Sequence, residues 1–234
     1  MTPEKADWRL LYRWGGLAPF IILGFYLIEM GYMVVGPPIP ETLLDWFNLS
    51  AERPLTAFLY QHPLDILSAG LYALLLLALN RLLRRGQEAW MDMMLLAAVL
   101  GAALFMSHRA AMLGLAQLST DYFATSDVML RERLLAAGES LAVLGRPTPQ
   151  MPGYFFLALA TFMASLAMLK RPGINRWTAW MGICAGVLIM SDHVSLILWP
   201  AAADTIMILS GPFLVLWWIL IGQSLLRFSR QAPA

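Results

Sequence analysis

Six ionisable residues, Glu29, Asp65, His108, Arg109, Asp192 and His193, interrupt stretches of sequence that are otherwise apolar. A charge inside such a stretch is costly to desolvate, so each is a candidate functional group. Arg109 is the natural counter-ion. Its guanidinium stays protonated and needs carboxylate neighbours if buried, and Glu29, Asp65 and Asp192 are the candidates to supply them. Such a cluster can do one of two things. It locks helices together by charge pairing, or it binds a small molecule, ion or proton in competition with its own internal pairs.

The three histidines, His62, His108 and His193, raise a second chemistry. With Asp65 or Asp192 they have the ligand types of a metal site. No two of them stand three or four residues apart on one helix, which is the spacing that makes a metal motif strong. Histidines on separate helices also suit axial haem ligation. Scattered as they are, they read first as hydrogen-bonded or wet residues at a polar rim, so neither metal nor other cofactor is expected. Walker, Gly-x-Ser-x-Gly and HExxH motifs are absent from the sequence.

What must position these groups follows from composition. The chain has 234 residues, 59% hydrophobic and 13% charged, with a mean hydropathy of +0.65. Soluble domains are about a quarter charged, so lipid is the expected solvent. A net charge of +1 gives no basic face for nucleic acid. The single cysteine, Cys184, excludes an internal disulfide and reads as a small packing residue. The first apolar stretch, from Leu17 to Val35, is longer than the core of a signal peptide and lacks a small-residue cleavage site after it.

Six stretches are long enough to cross a hydrocarbon core of about 30 Å. They fall near 15–36, 63–83, 90–118, 151–170, 177–199 and 204–227. The expected fold is an all-α, polytopic transmembrane bundle forming a single domain over 1–234. The third stretch is longer than needed, so it is expected to tilt or project. Lys and Arg mark orientation. Lys5, Arg9 and Arg13, then Arg81, Arg84 and Arg85, then Lys170, Arg171 and Arg176, and finally Arg227 and Arg230 alternate with poorly basic connections. The opposite side has Arg53, Arg131, Arg133 and Arg146 over much more chain. Both termini are therefore expected in the cytoplasm. Trp14, Trp90, Trp177 and Trp180 then fall on an inner aromatic belt and Trp199 on the outer one.

Counting 1.5 Å per residue places Glu29 roughly 22 Å above Trp14, and His108 and Arg109 roughly 27 Å above Trp90. Asp192 and His193 lie roughly 22–24 Å above Trp177. Asp65 lies just inside the second span, His62 and Asp204 at rims. The charges thus share one level, toward the outer face, over an apolar inner half. Two long outer connections carry short amphipathic helices on this reading. One spans 37–54, with Leu43, Leu44, Trp46 and Phe47. The other, near 127–144, has Leu130, Leu134, Leu141 and Leu144 at helical spacing and a stop at Gly145-Arg146-Pro147. Gly182 and Gly186 form a GxxxG pattern that predicts close helix approach. Pro212 removes a helical donor from the carbonyl of Ile208. No repeat relates the first three spans to the last three, so inverted-repeat architecture gets no support.

Several of these residues form recognisable motifs. Ile21-Ile22-Leu23-Gly24-Phe25-Tyr26-Leu27-Ile28-Glu29 resembles the glycine-containing first span, ending in Glu, of a bacterial six-span family filed as domain of unknown function 4386. Asp65, then Leu71-Tyr72-Ala73-Leu74-Leu75 and Asn80-Arg81, resemble its second span and basic turn. Arg109 and Asp192 correspond to its Arg in the third span and its late Asp in the fifth. His108 and His193 are not part of the pattern. The resemblance implies the six-span topology and a place in the bacterial inner membrane, and supplies no activity. The expectation is a membrane protein, leaning non-enzymatic, that binds a small molecule or ion at its outer charged level, as a permease or sensor. The alternatives are an outer-leaflet enzyme built on Asp192, His193 and His108, and an accessory subunit scaffolding a membrane complex. Beyond the bilayer, no protein partner is indicated.

Overall fold

Apolar runs with little Gly, Pro or charge to break them become helices because lipid offers no alternative partner to backbone N–H and C=O groups. The computed structural model of the protein describes residues 8–144 and 147–231, and no strand occurs among them. The helices are α1 (Arg9–Val35), α2 (Leu43–Glu52), α3 (Pro54–Tyr60), α4 (Leu64–Leu83), α5 (Glu88–Ala124), α6 (Val128–Leu144), α7 (Pro147–Met168), α8 (Arg176–Leu198) and α9 (Pro200–Gln231).

Six segments are long and apolar enough to cross a bilayer: Arg9–Val35, Pro54–Leu83, Glu88–Ala124, Met151–Met168, Arg176–Leu198 and Pro200–Gln231. The six expected spans are all present. The second begins earlier than the sequence suggests, because the short α3 precedes α4 in the same apolar segment. The third is a single helix, α5, of 37 residues, or about 55 Å at 1.5 Å per residue. Large apolar side chains face outward along these segments. Val34 is 83% exposed, Leu198 78% and Ile208 74%, a surface that water would not tolerate and lipid does. Trp14, Trp177, Trp180 and Trp199 are also exposed, as side chains at a lipid–water boundary would be.

The chain divides into two compact units, whose boundaries cut α1, α4, α5 and α7. Unit 1 comprises Met1–Leu23, Gly70–Ala102 and Gly153–Ala234, of which the described residues are considered. Its helices pack through small residues. A Cβ on Gly186 would lie 2.8 Å from Phe162 Cβ and 3.0 Å from the Ala158 carbonyl oxygen, and one on Gly182 would fall on Ser165 and Trp217. The GxxxG pattern of α8 therefore marks where α7 and α9 come closest to it. Polar groups inside this unit bond across helices. Asn80 Nδ2 donates to the Met91 carbonyl at 2.6 Å, Trp90 Nε1 to that of Met163 at 2.9 Å, and the Tyr72 hydroxyl pairs with that of Thr161. Cys184 is half-buried on α8. α9 continues as helix through Pro212.

Unit 2 comprises Gly24–Ala69 and Ala103–Pro152. Two short helices of this unit, α2 and α6, fall within the two long connections. α2 starts at a capping box, in which Thr42 accepts from the Asp45 N–H and Asp45 accepts from the Thr42 N–H. α6 starts at Asp127, whose carboxylate accepts from the N–H groups of Met129 and Leu130. Their apolar faces meet around Phe47, Met112 and Leu115, with Leu43, Leu135, Leu141 and Leu144 packed against that core. Of the expected leucine stripe, Leu130 instead lies exposed. The stop expected at Gly145 and Arg146 lies outside the described residues.

Substitution at Gly186 tests the packing. Gly186→Ala pushes a methyl against the α7 backbone, which cannot yield as a flexible side chain would. It should cost about 1–3 kcal/mol, read as a lower unfolding temperature in detergent. Gly211→Ala, where no atom lies within 4 Å of the added Cβ, should leave that temperature unchanged or raise it.

Candidate functional site

The site grows from a break in the second span. α3 ends at Tyr60, α4 starts at Leu64, and Gln61, His62 and Pro63 lie between them. Pro63 has no N–H to give to a continuing helix, and its ring steers His62 away from helical backbone angles. His62 takes φ +52°, the one positive φ outside glycine among the described residues. Such a conformation costs about 1–3 kcal/mol and is held only when the surroundings over-determine it.

The interruption exposes backbone groups that a helix would otherwise pair. Two are closed locally, Asp65 N–H to the His62 carbonyl at 3.1 Å and Ile66 N–H to that of Pro63 at 3.2 Å. The Leu64 N–H instead donates to Glu29 Oε1 on α1 at 3.2 Å. Glu29, only 4% exposed, also has Oε2 3.1 Å from His62 Nδ1. One buried carboxylate thus caps α4, where the helix dipole favours negative charge, and holds the histidine ring. Asp65, in the first turn of α4, pairs its Oδ2 with Arg109 Nη2 of α5 at 2.8 Å. Both side chains are largely buried, and the Arg109 guanidinium lies 5.4 Å from the Phe105 ring centre.

Four of the residues picked out in the sequence therefore come together in unit 2: Glu29, His62, Asp65 and Arg109. Ligand atoms of Glu29, His62 and Asp65 all lie within 4.8 Å of one another. Their common level follows from helix geometry. Glu29 is about 30 Å along α1 from Arg9, Asp65 about 27 Å along α4 from Leu83, and Arg109 about 31 Å along α5 from Glu88. His108 belongs to the same unit, with its Nε2 buried and lacking a hydrogen-bond partner. Asp192 and His193 belong to unit 1. His193 Nδ1 donates to the Ile189 carbonyl at 2.6 Å and lies 3.6 Å from Asp192 Oδ2, and the His193 ring lies tilted against that of Tyr154 with centres 5.5 Å apart.

Sequence reasoning passes over Gln61. It is 3% exposed, and neither its amide oxygen nor its amide nitrogen has a hydrogen-bond partner. It also passes over the aromatic support of α3. The Tyr32 hydroxyl pairs with that of Thr56 at 2.8 Å, the Tyr60 hydroxyl donates to the Pro37 carbonyl, and the Tyr32 and Tyr60 rings meet edge to face at 5.9 Å. The available signal is the pair Pro54 and Pro63, which brackets eight residues with no Gly or Pro among them and with Gln61 and His62 at the end.

Six apolar spans define a multi-pass integral membrane protein. A family described as a domain of unknown function (DUF4386) matches residues 52–223, and the chain belongs to that family. The matched region contains His62, Asp65, Arg109 and Asp192; Glu29 precedes it. No curated protein and no solved structure matches the chain.

Two substitutions separate the roles of the Glu29 carboxylate. Glu29→Ala leaves the Leu64 N–H without its acceptor, at a cost of about 1–3 kcal/mol. Glu29→Gln keeps an oxygen able to cap α4 and should unfold measurably above Glu29→Ala in the same thermal scan.

Proposed function

We propose that this protein binds a small polar solute or an ion at the Glu29–His62–Asp65–Arg109 cluster, and that it acts as a permease or sensor. The observation that carries the reading is the interrupted span. Non-helical backbone within an apolar segment is tolerated where protein buries it or where it lines a cavity, and paired helix fragments are a recurrent way to build an ion or solute site in membranes. The strained His62 and the unpartnered amide of Gln61 support it, since both are costs with no structural return in view.

The cluster faces the outer side of a bacterial inner membrane, with both termini in the cytoplasm. Support comes from the basic turns and from a cleft of about 460 Å³ lined by Arg9, Leu10, Arg13, Leu226, Ser229 and Arg230, which groups three arginines where the first and last spans end. Reporter fusions after Gln231 and after Gln87 should both be active as cytoplasmic fusions, and one after Ser126 as an external fusion. The opposite pattern would reverse the orientation.

A second reading, that the cluster only locks helices, is favoured by the direct Asp65–Arg109 pair. Thermal unfolding of detergent-purified protein against inorganic cations, phosphate and simple carboxylates separates the two. Binding predicts that at least one solute raises the unfolding temperature of the wild type and leaves folded Glu29→Gln and His62→Gln unmoved. A lock predicts no solute effect and equal loss of folded yield in both variants.

A further inference from the structure

We infer that Glu29, His62 and Asp65 form a binding site for a divalent transition-metal ion of the Zn²⁺ or Mn²⁺ type. The inference rests on the proposed binding function and names the ligand.

Distances come first. His62 Nδ1 and Glu29 Oε2 are 3.1 Å apart. Two ligands about 2.0–2.2 Å from a tetrahedral zinc are separated by roughly 3.3–3.6 Å, so this pair is within about half an ångström of one edge of a coordination shell. The third ligand atom, from Asp65, lies within 4.8 Å of both, so Asp65 must turn toward the pair to complete the shell. His62 Nδ1 offers its lone pair to a metal when the ring carries its proton on Nε2. Asp65 Oδ2 pairs with Arg109, which would leave Oδ1 for the metal. Arg109 then fixes the ligand from outside, as the outer partners of metal-bound carboxylates do.

Charge points the same way. Two carboxyl groups, Glu29 and Asp65, face a single guanidinium in a buried place. That surplus of acceptor oxygens suits a cation and repels an anion. Ligand chemistry narrows the cation. Mg²⁺ and Ca²⁺ prefer all-oxygen shells, while imidazole with carboxylate suits zinc and manganese. Gln61 is the independent sign of a missing partner. It adjoins His62 in the interruption, is 3% exposed, and has both amide atoms unpartnered. A metal-bound water offers such an amide what the protein does not. Three protein ligands with one open position is also the pattern of zinc sites that exchange a ligand.

The test uses the full chain in detergent, with its affinity tag removed and metal stripped by EDTA. Zn²⁺, Mn²⁺ and Mg²⁺ are titrated by calorimetry, with unfolding temperature as a second readout. One equivalent of Zn²⁺ or Mn²⁺ should bind and raise the unfolding temperature, and Mg²⁺ should not. His62→Gln and Glu29→Gln should weaken binding by about 10–100-fold or more. His108→Gln and His193→Gln should leave it unchanged, which excludes adventitious histidine ligation. Absence of saturable Zn²⁺ and Mn²⁺ binding, or binding that both cluster variants retain, overturns the inference. If phosphate, a carboxylate or a monovalent cation then stabilises the wild type in a Glu29-dependent way, the metal falls and the binding function stands. If none does, both fall.

Discussion

A peptide N–H inside an apolar segment has no water to turn to, and everything distinctive in unit 2 follows from how one such group is satisfied. Breaking the second span at Pro63 strands the Leu64 N–H. Only a buried acceptor from another helix can take it, and Glu29 does so. A carboxylate placed there then needs company of its own, which His62 supplies from within the break. Asp65, one residue further, is drawn into the same place and finds Arg109. The cluster is therefore the completion of a backbone requirement, assembled from side chains that are costly to bury singly.

This dependence explains which parts of the protein were legible in the sequence. Span number and approximate limits rest on local apolar runs, and those are set by bilayer thickness alone. The shared level of Glu29, Asp65 and Arg109 was also readable, because helical rise converts position into height. Partner choice was not. Arg109 could in principle serve Glu29, Asp65 or Asp192, and selection among them depends on how helices turn about their axes, which residue counting does not report. Glu29 looked like one more counter-ion and acts in the structure as a helix cap, a role invisible until α4 is known to start at Leu64. His62 looked like a rim residue because the span was begun at Pro63; α3 extends the apolar segment upstream to Pro54.

The helices α2 and α6 illustrate the intermediate case. Their existence follows from capping residues and periodicity, at Thr42 with Asp45 and at Asp127. Which leucines they bury does not, since Leu135, Leu141 and Leu144 pack against the Phe47 core while Leu130 remains outside. The small-residue contacts of unit 1 were more predictable. A glycine pair one turn apart constrains its neighbours by sterics, and Gly182 and Gly186 meet α7 and α9 as that rule requires.

The backbone at position 62 has an evolutionary consequence. Positive φ is freely available to glycine and tolerated by asparagine, so random substitution relieves the local strain most readily by deleting the imidazole. Retaining the ring means continually resisting the easiest escape from that strain. A lineage that relies on the ring nitrogen should hold histidine against this drift. A lineage that has abandoned it should slide toward glycine or asparagine while keeping the neighbouring proline. The residue found at this one position thus records whether the break is still used for chemistry or survives only as a bend in the chain.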